Sequence, residues 1–145
     1  MTHTEFRGDV NTLGKYVAPG ERFIMLVPVG WSLKHSGEEL QLTSESGDTA
    51  VTVTTYRRRA GSPPVNSANH LHKFLSGEHP EKCTIINNAR ERASAEYSKT
   101  DGSQWHALFL ENKNALLLAT ANTTLDPAAD EFVTAKKVVE SIVLK

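Results

Sequence analysis

The sequence predicts an α+β domain, an antiparallel β-sheet covered by helices, and three observations carry that prediction. Short apolar or alternating segments recur between turn signals over residues 22–56 and again over 104–121. A helix-spaced apolar pattern begins after Asn66, and a second, stronger one closes the chain. With 145 residues, 39% of them hydrophobic and 23% charged, and with no Gly/Ser linker or internal repeat, the chain has the size and balance of one domain. A chain of this length buries roughly 68–70% of the surface its unfolded form exposes, so folding requires neither a disulfide nor a structural metal, and no cofactor is expected.

Residues 1–20 are polar, hold no sustained period and end in Ala18-Pro19-Gly20; they read as a flexible N-terminal arm, with the domain spanning 21–145. The first strand is Arg22 to Val27, an apolar and β-branched run stopped by Pro28-Val29-Gly30-Trp31. Glu39 to Thr43 alternates Leu40 and Leu42 with polar neighbours, a strand with one face inward. After a turn at Gly47-Asp48, Thr49 to Tyr56 places Val51 and Val53 on one face and Thr52 and Thr54 on the other. Arg57 to Pro64 then breaks the pattern with Gly-Ser-Pro-Pro, a long connection. Ala68, Leu71, Phe74 and Leu75 form the stripe of a short helix, capped by Asn66 or Ser67, ended near Gly77 and barred from continuing by Pro80.

Residues 84–98 carry two signals. Ala93, Ala95 and Tyr97 alternate as in a strand, whereas the Ala, Arg and Glu content of 87–96 favours a helix. The context selects a strand, because Thr100-Asp101-Gly102 is a hairpin turn and Gln104 to Leu110 beyond it needs an antiparallel partner. Ala115 to Ala121 is apolar on both faces, as a central strand covered on each side would be. In the last element Asp126 suits an N-cap, Pro127 the first helical position, and Phe132, Ala135, Val138, Val139 and Ile142 one apolar stripe.

The strand-turn-strand segment Phe23 to Leu33 with its Pro-Val-Gly-Trp turn, the crossover helix after Tyr56, the Trp105 hairpin and the amphipathic C-terminal segment ending Val-Val-Glu-Ser-Ile-Val-Leu resemble the Mog/PsbP-like superfamily, an α/β sandwich. The resemblance covers most of residues 22–145. It implies an interaction module, since known members are mostly binding or assembly proteins, and related bacterial domains include envelope lipoproteins and chaperones for secreted effectors. It names no partner, and no functional residue transfers from it.

Several chemistries lack their residues. Sixteen Lys and Arg against seventeen Asp and Glu leave a formal charge of −1, so no whole-molecule field recruits nucleic acid or an anionic membrane. Cys83 is alone, which removes intramolecular disulfides and thiolate-rich zinc sites. There is no Gly-x-Ser-x-Gly elbow, no Walker A segment and no Gly-x-Gly-x-x-Gly, so no catalytic residue is assigned and the protein is read as a non-enzyme. His70, His72, His79 and Cys83 are the types that hold metals, but on a helix residues two apart point about 200° away from each other; no metal is assigned, and these histidines are read as solvated helix-edge imidazoles. The N-terminus lacks a basic segment followed by an apolar core, and the longest apolar run is far below the ~20 residues of a membrane span. A soluble, cytoplasmic protein is expected, or a periplasmic one if a leader has been removed. Arg7-Gly8-Asp9 spells an integrin-binding tripeptide and is read as coincidence.

Arg57, Arg58 and Arg59, next to Tyr56, are the most concentrated charge in the chain and suit an anion, a nucleic-acid backbone or an acidic partner; the competing reading is a strand end in water. Arg90 and Arg92 would reinforce the patch if their strand lay nearby. Trp31 is a candidate binding anchor, whereas Trp105, which shares a strand face with Ala107 and Phe109, is read as core. The expected function is therefore that of a non-catalytic adaptor or effector-chaperone-like module that binds an unidentified protein partner, with Trp31, Tyr56, Arg57, Arg58 and Arg59 as binding residues and with no membrane or nucleic-acid partner. The alternative is a small-ligand-binding protein or enzyme with a pocket between helix and sheet. Oligomeric state stays open.

Overall fold

A computed structural model describes residues 13–18 and 22–145. Ten strands and two helices follow in the order β1 (Leu13–Val17), β2 (Phe23–Pro28), β3 (Ser32–Ser36), β4 (Glu39–Thr43), β5 (Thr49–Arg57), α1 (Ser67–Glu78), β6 (Lys82–Asn88), β7 (Arg92–Ser98), β8 (Gln104–Glu111), β9 (Ala115–Thr123), α2 (Asp130–Glu140) and β10 (Val143–Leu144). Seven strands form one antiparallel sheet in the order β3-β4-β5-β9-β8-β7-β6, and β1-β2-β10 form a smaller one. The α+β sandwich expected from the sequence is the architecture observed.

Strand alternation sets up two cores. On one face of the large sheet Leu40, Leu42, Val51, Val53, Leu108, Leu117 and Ala119 meet α2 and the inner side of β2, where Phe23, Met25 and Val27 are buried. On the other face Ala93, Ala95, Ala107 and Phe109 lie beneath Leu71 and Leu75 of α1. β8 therefore buries both of its faces, as its sequence demands, and β9 sits at the centre of the sheet with Leu117 inside one core and Leu116 and Leu118 against the other. Trp105 packs with the second core, stacked on Tyr97 at 5.9 Å, and its indole N–H donates to Ser103 Oγ at 2.8 Å. The Pro-Val-Gly-Trp turn closes between β2 and β3 through Gly30, whose φ of +88° is a conformation that glycine adopts without steric cost.

Five expectations are corrected. Residues 13–17, expected in the flexible arm, form β1, which pairs antiparallel with β2 and buries Tyr16; the remaining arm, with Arg7-Gly8-Asp9, lies outside the described residues. Residues 84–98 are two strands rather than one: β6 and β7 form a hairpin whose register shifts between Ile85 and Asn87. Helix α1 is capped by the Asn66 side chain as expected, but it runs past Gly77 and ends at His79, which takes the left-handed conformation (φ 50°) before Pro80. Asp126 caps a turn and not the helix: its carboxylate accepts from the Ala128 amide at 2.8 Å, and α2 starts at Asp130 with no side-chain cap. Ile142 is buried from beyond the end of α2, because Val143 and Leu144 leave the helix to pair with Ile24 and Phe23.

Candidate functional site

β5 buries alternate residues until Thr55 and then leaves the sheet's cover, so that Tyr56 (52% exposed) and Arg57 emerge into solvent. α1 packs on β7 and β8. The next two residues take separate paths. The Arg58 side chain folds inward and its Nε contacts Glu111 Oε2 at 3.0 Å, with both side chains nearly buried (11% and 4% exposed). Its guanidinium also donates to the carbonyls of Asn112 (3.2 Å) and Pro63, which fastens the connection after β5 to the turn after β8. Arg59 stays exposed at a turn closed by its carbonyl accepting the Ser62 amide at 3.1 Å, with Gly61 at φ +85°.

Glu111 is the pivot of this corner. Besides Arg58, its Oε1 accepts the Asn66 amide at 2.7 Å and faces His70 Nε2 at 3.3 Å. One buried carboxylate thus joins the end of β8, the connection after β5 and the start of α1. His70, expected as a solvated imidazole, instead turns inward: its ring stacks on Phe109 at 5.9 Å because α1 places it over the same sheet face as the second core. His72 is exposed, so the two histidines diverge as the helical spacing requires.

Two cavities of about 330 Å³ each flank the end of β5. The first lies between the connection and α1, lined among others by Tyr56, Arg57, Arg59, Pro63, His70 and Leu116. The second is lined by Arg22, Thr55, Tyr56, Arg57, Asn114 and Lys145. Tyr56 and Arg57 line both and form the wall between them. Among the described residues Arg57, Arg59 and Lys145 enter no ion pair, whereas Arg22 pairs with Glu38. The Arg22 guanidinium bonded to Glu38 holds that carboxyl below its usual range, and the charge of Arg57 adds to the effect. The corner is locally cationic on a chain of net charge −1.

Of the residues singled out in the sequence, Tyr56, Arg57, Arg58 and Arg59 come together here. Trp31 does not: it is half-buried against the main core and lines neither cavity. Arg92 is also elsewhere, donating to Glu140 Oε1 at 2.8 Å on the α2 side of the sheet. There buried His106 approaches Glu140 Oε2 at 2.5 Å and Glu96 at 3.7 Å, and Lys136 bonds to Glu96 at 3.2 Å. The His106 and Arg92 hydrogen bonds hold the Glu140 carboxyl down at about 2. Neither His106 nor Glu140 lines either cavity, so this network clamps α2 to the sheet. Sequence reasoning did not single out Glu111 or Glu140. The available signal for Glu111 was its place two residues after Phe109 on a face already read as buried.

No helix of the described residues is long and apolar enough to cross a membrane. No protein-family description matches the sequence, and no curated protein matches it. Among solved structures, the chain is similar to cyanobacterial PsbP (CyanoP) from Synechocystis sp. PCC 6803, with a TM-score of 0.67 and 15% identity over 100% of this chain and 99% of that one. It is also similar to a protein from Bacteroides thetaiotaomicron VPI-5482, with a TM-score of 0.58 and 9% identity over 90% of this chain and 48% of that one. The chain has a PsbP-like fold; at these identities the likeness is one of fold.

Proposed function

We propose that this PsbP-like domain is a non-catalytic binding module that docks an acidic segment of another protein on the wall formed by Tyr56 and Arg57. The observation that carries the reading is the exposed Tyr-Arg pair between two cavities, held in place from behind by the buried Arg58–Glu111 pair. Tyr and Arg are the side chains that most often anchor interfaces, and here the backbone beneath them is fixed, so little entropy is lost on docking. Arg57, Arg59 and Lys145 supply positive charge on both sides, which selects carboxylates and speeds encounter. The formal charge of −1 leaves no broad field for nucleic acid or a bilayer, and a single cysteine suits either a cytoplasmic or a disulfide-free periplasmic setting.

The test is affinity purification from the native host at low and high ionic strength, comparing the wild type with a Tyr56→Ala/Arg57→Ala variant whose circular dichroism is unchanged. A stoichiometric protein retained by the wild type, weakened by salt and lost with the variant supports the reading. A partner retained equally by both discards it.

A second reading is favoured by one observation, the position of the first cavity between α1 and the sheet end. At about 330 Å³ it falls at the lower limit for small-molecule sites, roughly 300–1,000 Å³. A small carboxylate or phosphate that raises the melting temperature of the wild type but not of Arg59→Ala would establish it.

A further inference from the structure

The small sheet β1-β2-β10 buries one face and leaves the other open. Tyr16, Phe23, Met25 and Val27 enter the main core, so Lys15, Val17, Ile24 and Leu26 stand on the opposite face. Residues paired directly across strands share a face, which places Val17, Ile24 and Val143 in one apolar row across all three strands, with Leu26 and Lys15 paired in the next row. Val17, Leu26 and Val143 are 39%, 37% and 51% exposed. They are three of the six exposed large hydrophobics among the described residues, and a fourth is Tyr56. A face that meets only water carries other residues: β4 and β5 turn Gln41, Thr52 and Thr54 away from the core under α2.

We infer that this open face docks an amphipathic acidic helix of the partner protein, with the apolar stripe of the helix on Val17, Ile24, Leu26 and Val143 and its carboxylates over the cationic corner. The inference rests on the proposed function and names the rest of the surface that the partner must present. The two surfaces are continuous. Ile24 and Val143 lie two residues from Arg22 and Lys145, about 7 Å along their strands. The Lys145 amide donates to the Arg22 carbonyl at 2.8 Å, and both residues line the second cavity together with Tyr56 and Arg57. Arg22 is already paired with Glu38, so Lys145 and Arg57 supply the charge at that end, and Lys15 supplies it beside Leu26. The three strands hold no carboxylate, so the face attracts acidic side chains and repels basic ones. Its dimensions suit a helix. Three strands about 4.8 Å apart make a floor about 10 Å wide, the diameter of one helix. Ile24 and Leu26, about 7 Å apart along β2, match apolar side chains three and four residues apart on a helix laid over them.

The test selects a phage-displayed library of random peptides, about 16 residues long and so able to form a helix, against the full chain. The enriched peptides are expected to carry Asp or Glu toward one end and apolar residues three and four apart. Val143→Glu and Leu26→Glu, at exposed sites and so compatible with the fold, are expected to weaken these peptides about tenfold or more without changing the circular dichroism of the protein. Tyr56→Ala/Arg57→Ala is expected to weaken them as well. Acidic peptides without an apolar stripe, bound equally by the wild type and Val143→Glu, overturn the inference and leave the proposed function standing. Enrichment of no acidic peptide overturns both. Peptides that bind only after deletion of residues 1–12 overturn the inference by making the chain's own N-terminal segment the occupant. Sedimentation with anionic lipid vesicles that Val143→Glu abolishes, in place of peptide binding, overturns it by assigning the face to a bilayer.

Discussion

Replacing Arg58 by alanine tests whether one member of the arginine run is structural while its neighbours are free. The change removes the guanidinium from Glu111, leaving a carboxylate that is 4% exposed, and it leaves the carbonyls of Asn112 and Pro63 without their donor. Breaking a buried ion pair by deleting one partner costs about 3–5 kcal/mol. Glu111 keeps the Asn66 amide at 2.7 Å and His70 at 3.3 Å, so the lower end applies, about 3 kcal/mol. For a chain of this size that corresponds to a fall in melting temperature of about 9 °C. Arg57→Ala and Arg59→Ala, at exposed sites, are expected to change stability by less than about 0.5 kcal/mol. Urea denaturation followed by circular dichroism measures all three, and a double-mutant cycle of Arg58→Ala with Glu111→Gln isolates the pair, with a coupling of about 1–3 kcal/mol expected. Equal stabilities for the three arginine variants, or a coupling near zero, would refute the assignment of Arg58 as the residue that fixes this corner.

Glu140 has its carboxyl held at about 2 by His106 and then Arg92. A depressed folded value adds stability above the unfolded value of about 4.3, and that stability is lost as pH falls from there toward 2. A fully buried group with this shift would contribute about 3 kcal/mol, but the Glu140 side chain is 38% exposed, and screening by water reduces the expectation to about 1 kcal/mol. Glu140→Gln is therefore expected to flatten the stability profile between pH 5 and 2, and an unchanged acid limb would contradict the network. His79 takes a left-handed backbone at the end of α1 (φ 50°), a conformation costly for residues with a Cβ; His79→Gly is expected to stabilise by about 0.5–1 kcal/mol in the same denaturation assay, and a loss would show a contact of the imidazole that outweighs the backbone.

Strands with a clean period were legible. β4, β5, β8 and β9 alternate or run apolar because each buries at least one face, and burial is what writes periodicity into a sequence. Edge and short strands were less so. In β1 the backbone pairing with β2 is tertiary and the segment needs no pattern, and in Ser32–Ser36 nearly every side chain is solvated, so only its start after the Pro-Val-Gly-Trp turn showed. The break between β6 and β7 was masked by the Ala, Arg and Glu content of the segment, whose helical propensity the sheet overrides. At the site, the charge run at residues 57–59 was visible but the inward turn of Arg58 was not. That turn depends on Glu111, a distant residue whose buried position was readable from Trp105, Ala107 and Phe109 although its counter-ion was not.

The order of the large sheet also separates early from late events in folding. β3-β4-β5 and β6-β7-β8-β9 are each runs of sequential hairpins, which close over short loops, whereas the seam between β5 and β9 joins Thr49–Arg57 to Ala115–Thr123 and closes the longest loop in the sheet. Each meander can form on local contacts, and docking the two is the slow step. The seam is built from Val51 and Val53 against Ala121 and Ala119, and the β6–β7 hairpin closes before it, so weakening either is expected to slow refolding more than it speeds unfolding.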